Sequence, residues 1–298
     1  MNKKITTREI LFVNGKSAYR NNRRDKIMNN PPPEIIQQTN DIVTFDKLGN
    51  NGRLGNQLFQ IAVTIATAKK HKADAIFPKW FCKYTTKDFS LFFENPIKQD
   101  SSINVPNVYN ERSFTYSPIP YHKGVCLRGY YQSEKYFEDC KEDIRFYFKP
   151  KESVINELKK KYKEQLKGNT CCVHIRRGDY VNNPFHYVCD ENYYNTAIDN
   201  IRKMTKINRF LIFSDDIEWC KKNFNSDDFY FVEGNKDIED LFLMTLCKNH
   251  IISNSSFSWW GSWLCENDKK IIIAPNRWFS EESSTIYKDV YTSNMIRI

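Results

Sequence analysis

From residue 170 onward the apolar positions fall into short runs, at 170–175, 210–213, 229–232, 250–253 and 271–274, separated by segments long enough for helices. Strand alternating with helix predicts a parallel, doubly wound sheet. Nearer the N-terminus, Ile42-Val-Thr-Phe45 reads as a strand entering a loop rich in Gly and Asn. Helical periodicity then runs from about Gly55 to Lys70, and Ala75-Ile-Phe77 reads as the next strand, completing a βαβ unit. Residues 80–150 are aromatic-rich and broken by prolines, with Val125-Cys-Leu-Arg-Gly-Tyr-Tyr131 as their clearest strand. A Lys/Glu-rich helix is predicted over about Glu152 to Leu166, ended by Lys167-Gly168-Asn169 in the manner of a glycine after a basic last turn. A domain boundary placed there gives two α/β domains, 40–167 and 168–298. Residues 1–39, polar and basic with Pro31-Pro-Pro33, read as a flexible extension in which Ile10-Leu-Phe-Val13 could add an edge strand.

A length of 298 residues is enough for two moderate cores. The formal charge of +9 changes meaning once located, because residues 1–39 carry eight Lys/Arg against three Asp/Glu and so hold +5 of it. The body is mildly basic, which suits a phosphorylated small molecule as well as it suits RNA, and no basic stripe interleaved with aromatics supports the nucleic-acid reading. Nine cysteines, an odd number without CxxC or zinc spacing, imply free thiols and a reducing compartment. No apolar stretch approaches 18 residues and no signal-peptide pattern opens the chain, so the protein is expected to be soluble, cytoplasmic or peripheral on a membrane.

In doubly wound sheets ligands bind beyond the carboxyl ends of the strands. The residues expected there include Arg176, Arg177, Asp179, Ser214, Asp215, Asp216, Ser255 and Ser256. In Thr170-Cys-Cys-Val-His-Ile-Arg-Arg-Gly-Asp-Tyr180, strand alternation puts His174 and Arg176 on one face and Arg177 on the other. An arginine fork fits phosphate oxygens and can stabilise a departing diphosphate without a metal ion. A structural salt bridge from either arginine, with Asp179 shaping the turn, remains the alternative. Ser255 and Ser256 open a predicted helix, where hydroxyls and free N–H groups make an anion site as well as an N-cap. Trp259, Trp260 and Trp263 recur at helical spacing and read as core. Gly52-Arg-Leu-Gly-Asn-Gln-Leu-Phe-Gln60 is a Gly-rich turn into a helix with Asn56 and Gln57 on its first turn. It lacks the Gly-Lys-Ser/Thr ending of a nucleoside-triphosphate loop. Phe210-Leu-Ile-Phe-Ser-Asp-Asp216 ends in a carboxylate pair that could hold a metal, a ribose or a helix cap. Asn254-Ser-Ser256 matches a glycosylation sequon inside the predicted site.

Together the motifs Gly52–Gln60, His174–Tyr180, Phe213–Asp216 and Ser253–Leu264, in that order, resemble glycosyltransferase family 11, the α-1,2-fucosyltransferases. One departure is Cys265, where the family pattern has Asn. The resemblance implies a GT-B-like enzyme with two facing Rossmann-like domains, the C-terminal one holding GDP-fucose and the N-terminal one facing the acceptor. It implies inverting transfer of fucose to a glycan hydroxyl, O2 of a galactoside, with no cofactor and no metal needed for chemistry. By the same resemblance Arg176 would hold the β-phosphate, His174 and Asp240 would lie near guanine and ribose, and Ser255 or Ser256 near the diphosphate. Asp179 is the candidate base; Arg177, Asn56 and Gln57 are further candidates for substrate contact. A non-catalytic nucleotide-sugar or carbohydrate-binding protein of the same fold is the competing reading. Acceptor identity and oligomeric state stay open.

Overall fold

The computed structural model describes residues 41–207, 209–280 and 287–298, together with the backbone of an antiparallel hairpin, β1 (Phe12–Val13) with β2 (Lys16–Ser17). The other positions of the 1–39 extension lie outside the described residues.

In the body, β3 (Ile42–Thr44) leads through the Gly-rich loop into α1 (Leu54–His71). Gly52 takes a left-handed φ of 79°, the turn that only glycine makes without strain, and Arg53 is extended at the N-cap. The helix is buried almost all round, so its polar side chains must find partners inside. Gln57 donates to Gly52 O (2.8 Å) and accepts from Trp80 Nε1 (2.8 Å), while Gln60 donates to Asn51 O (2.9 Å). The two glutamines thereby tie the loop onto its own helix. Lys72, left-handed, closes the C-terminus after a basic last turn.

Then come β4 (Asp74–Ala75), the short hairpin β5 (Phe81–Cys82) with β6 (Lys87–Asp88), β7 (Asn107–Asn110), β8 (Val125–Arg128), α2 (Lys141–Tyr147) and α3 (Glu152–Lys161). Strands β4-β3-β8-β7 form a parallel sheet. Helix α3 stops five residues before the sequence reading placed its end. Tyr162 leaves the helical geometry, buried and donating to Asn235 Oδ1 (3.0 Å), and a turn carries the chain to Gly168, left-handed at φ 83°.

The remainder comprises β9 (Thr170–Ile175), α4 (Glu191–Met204), β10 (Arg209–Ser214), α5 (Ile217–Asn223), β11 (Phe229–Phe231), α6 (Asp237–Leu246), β12 (Asn249–Ile251), α7 (Ser256–Leu264), β13 (Ile272–Ala274) and β14 (Met295–Arg297). All six strands are parallel in the order β11-β10-β9-β12-β13-β14, the doubly wound pattern in which strand order reverses between the first and fourth strands. The edge strand β14 carries no periodic apolar run and was not expected from the sequence.

One hydrophobic cluster runs from the four-stranded sheet through α1, α6 and α7 to the six-stranded one. Phe59 of α1 meets Trp259 (4.5 Å) and Trp260 (4.9 Å) of α7, and Phe137 stacks on Trp260 at 5.5 Å. The tryptophans are therefore core. A second cluster fills the other face of the six-stranded sheet under α4 and α5. Gly55 makes the joint between α1 and α7 possible, since a Cβ there would lie 2.5 Å from Phe257 N and 2.7 Å from Ser256 Oγ. All nine cysteines are free and buried, and Cys265 donates its thiol to Cys247 O. Among the described residues no helix is long and apolar enough to cross a membrane.

Candidate active site

The order reversal of the six-stranded sheet lies between β9 and β12, whose carboxyl ends carry Arg176 and Ser253-Asn-Ser255. The equivalent ends in the four-stranded sheet, β3 and β8, lead into the Gly-rich loop and the Gly129–Gln132 turn. A cavity of about 700 Å³ opens between these two places, lined by Arg53, Asn56, Gln132, His174, Arg176, Asp179, Asp240, Ser255 and Ser256 among others.

Arg176 sits at its centre with its side chain 14% exposed. One guanidinium nitrogen is bonded to Asp179 Oδ1, the other lies 2.6 Å from Asp215 Oδ2, and the Tyr180 ring is 5.1 Å away. Asp215 also accepts from Arg177 N (2.9 Å), and it approaches the turn so closely that a Cβ on Gly178 would lie 2.2 Å from Oδ2. The glycine of the motif thus makes room for the carboxylate that fixes the arginine. Asp179 is half-exposed and has Arg53 Nη2 at 3.7 Å. The salt bridge weighed against ligand binding is therefore present, but it holds Arg176 within the cavity wall. A fork fixed in advance loses little freedom on meeting an anion.

His174 is buried with Nδ1 2.8 Å from Ser253 Oγ. Burial, and secondarily the Arg176 charge, hold its pKa down at about 3, so the imidazole is neutral at any working pH. Asp240, on α6, is held by Asn235 Nδ2 (2.9 Å), whose oxygen accepts from Tyr162. Desolvation raises its pKa to about 6, with the neighbouring Asp237 and Glu239 charges adding to the rise and the Asn235 bond opposing it.

Two helix N-termini point at this region. Ser255 caps α7 by accepting from Phe257 N (3.3 Å), and Ser256 donates to Asn56 Oδ1 (2.7 Å), which also accepts from Gln132 Nε2 (2.7 Å). Capping and cavity lining are thus compatible roles for the serines. The partial positive charge at the starts of α1 and α7 favours an anion between them.

Two candidates do not reach the cavity. Gln57 is fully buried in the contacts already described. Arg177 points to the other side of the turn, over the Trp219 ring at 3.9 Å and 3.1 Å from Asp216 Oδ2, as strand alternation requires. The carboxylate pair therefore divides: Asp215 holds Arg176, while Asp216 caps α5 through Trp219 N and binds Arg177. The sequon asparagine, Asn254, is buried and spends its amide nitrogen on Tyr187 O (2.8 Å) and Trp278 O (2.7 Å), leaving no hydrogen to modify.

The cavity has further lining that sequence patterns did not reveal. Lys87 pairs with Asp237 at 2.8 Å, joining the β6 region to the start of α6. Tyr84, Phe114, Tyr130, Phe185 and Phe279 supply an aromatic wall. A charge of either sign near a Gly-rich turn could have pointed to Arg53, but nothing local marks the aromatics.

Two lobes built on parallel sheets, with a cavity between their points of strand-order reversal, define a two-lobed α/β fold of the GT-B type. The crystal structure of fucosyltransferase NodZ from Bradyrhizobium shares it, with a TM-score of 0.53 over 75% of this chain and 93% of that one at 13% identity. The family model for glycosyl transferase family 11 matches residues 18–298, and the chain belongs to that family. It is 45% identical over 164 residues to the alpha-1,2-colitosyltransferase of Escherichia coli (52% of this chain, 56% of that protein). It is 27% identical over 239 residues to the galactoside alpha-(1,2)-fucosyltransferase 2 of Oryctolagus cuniculus (73% and 66%). The matched region thus spans less than two thirds of either relative.

Proposed function

We propose that this protein transfers fucose from GDP-fucose to O2 of a galactoside acceptor, inverting the anomeric centre. The observation that carries the proposal is Arg176, fixed between Asp179 and Asp215 at the order reversal of a Rossmann-type sheet and flanked by two helix N-termini. An electropositive group so placed stabilises the charge that develops on a departing diphosphate. Ser255 and Ser256 add hydroxyls to the same contact. Asp240, ionised, suits the N1/N2 edge of guanine, which offers two donors side by side. His174, neutral, serves as a hydrogen-bonding partner to the nucleotide.

Residues 168–298 would then form the donor side and residues 40–167 the acceptor side. Inversion needs the acceptor oxygen to approach opposite the diphosphate and lose its proton. Asp179 is the carboxylate nearest Arg176 that also reaches solvent, and it takes the role of base or of arginine orienter. Asp215 and Asp216 are both engaged by arginines, which supports chemistry without a metal. The free thiols suit a reducing compartment.

The names of the similar proteins support the α-1,2 linkage and leave one question about the donor, since colitose is L-fucose without its 3-hydroxyl. Incubation with β-galactosides and either GDP-fucose or GDP-colitose, with GDP release measured, tests the assignment. Turnover of GDP-fucose undiminished by EDTA is expected. Turnover restricted to GDP-colitose would replace the donor, and activity only with UDP-sugars would end the GDP reading.

A further inference from the structure

The aromatic wall is continuous with the Arg176 centre. Tyr180, below the guanidinium, stacks on His186 at 3.9 Å, and His186 meets Phe185 at 5.3 Å. Phe185 packs on Phe279 (4.8 Å), Phe279 on Phe114 (4.9 Å), and Phe114 stacks on Tyr130 (5.8 Å). The row therefore starts in the six-stranded lobe and ends in the four-stranded one. Phe185 is 41% exposed and Tyr84, at the rim, 60%, while Phe114 and Tyr130 are half-buried and Phe279 is buried between Phe185 and Phe114. Partly exposed rings that line a cavity beside polar groups offer a ligand an apolar contact.

The fold also holds this surface in place at a cost. Tyr131 is left-handed at φ 52° although it is not glycine, and Gly129 has φ 151°. Strain of this kind persists where surrounding bonds overdetermine it. Here the half-buried Glu111 accepts from Tyr130 N (2.7 Å) and Tyr131 N (3.0 Å), and a Cβ on Gly129 would lie 2.4 Å from Glu111 Cβ. The turn that presents the Tyr130 ring is thus built from a strained backbone and a desolvated carboxylate.

We infer that the apolar C–H face of the acceptor's pyranose ring stacks on Phe185, Phe114 and Tyr130, with Tyr84 covering it at the rim and its hydroxyl edge toward Asp179. The inference rests on the transferase reading for the role of this sugar as acceptor. Guanine is the rival occupant. It is better served by Asp240, whose carboxylate is held on α6 by Asn235 and could accept from the N1/N2 edge.

The test is saturation-transfer NMR of lactose, in the presence of GDP, with wild type, Phe185→Ala, Tyr84→Ala and Phe185→Trp. GDP affinity is measured on the same samples by calorimetry. Saturation should concentrate on H3, H4 and H5 of galactose in wild type. It should fall with roughly tenfold weaker lactose binding in Phe185→Ala, by less in Tyr84→Ala, and return in Phe185→Trp, while GDP affinity stays within about twofold. Lactose binding unchanged in both alanine variants, absent in wild type, or preserved while GDP affinity falls would overturn the inference. Lactose bound through the wall by a protein that neither binds nor turns over GDP-fucose would leave the carbohydrate site standing and overturn the transferase reading alone.

Discussion

The two ends of the cavity are built in different ways. In the six-stranded lobe the charged side chains near the order reversal are each held by a polar neighbour: Arg176 by Asp179 and Asp215, Arg177 by Asp216, Asp240 by the Asn235 amide. Away from Arg176 the cavity is walled by rings from both lobes, Phe185 and Phe279 from the six-stranded one and Phe114 and Tyr130 from the four-stranded one, with Tyr130 set by a strained turn over Glu111. A pre-fixed charge array suits a ligand that is always the same and always anionic. Rings on loops suit a ligand recognised by shape, and loops can change without disturbing the sheets. On the proposed function, the difference would put donor chemistry at the strand ends and acceptor choice in residues 84–132 and 185.

The largest expected effect breaks the charged end. Arg176→Ala should lower kcat by 10²- to 10³-fold, the order of about 3–4 kcal/mol lost with one transition-state contact, with thermal stability close to wild type. A kcat within threefold of wild type would remove the arginine from the chemistry.

Next, Gly55→Ala strikes the joint between the lobes. The new Cβ meets backbone at 2.5 Å, so helices must separate, at about 1–3 kcal/mol and several degrees of Tm. Gly234→Ala is the contrast: its φ is 75° but nothing lies within 4 Å, so only backbone strain of about 1 kcal/mol is expected. Equal Tm losses in the two variants would mean that the α1–α7 contact is looser than described.

A third prediction concerns pH. Because the Asp240 pKa is raised to about 6 by burial, the carboxylate proposed to bind guanine is lost as pH falls through 6. The kcat/KM for the donor should drop about tenfold between pH 7 and pH 5, and Asp240→Asn should be low and flat over that range. Stability should move the other way: the folded state binds the proton more tightly than the unfolded one, so this group favours folding increasingly from about pH 6 down to its ordinary value of 3.8. A donor profile that is flat in wild type would place guanine elsewhere.

The smallest effect should come from Lys87→Ala. Its pair with Asp237 is partly exposed, so the loss should be at most about 1 kcal/mol in stability and should shrink at high salt. A salt-independent loss of several degrees would make this contact a structural tie between the lobes.

Much of the charged end was legible in the sequence because it is local. His174, Arg176 and Asp179 sit within six residues, and the period of a strand assigns their faces. The serines follow from helix-start chemistry. The order of the six strands was visible only as alternation, and β14 was missed because it is three residues long with Met295 alone buried, too short to show a period. Gln57 misled because an amide on a first helical turn resembles a ligand contact; its partner, Trp80, is 23 residues away and no pattern joins them. Asp215 was seen as a possible metal or ribose ligand, but its place against Gly178 depends on the pairing of β10 with β9. The aromatic wall is the extreme case, since Phe114, Tyr130, Phe185 and Phe279 come from separate loops and share no spacing.

The most direct measurement of the central claim is a calorimetric titration of GDP into wild type, Arg176→Ala and Phe185→Ala. The charged end, read as the diphosphate clamp, predicts that Arg176→Ala binds GDP at least about 100-fold more weakly, whereas Phe185→Ala binds it as wild type does. GDP bound equally well without the Arg176 guanidinium would contradict the account at its centre.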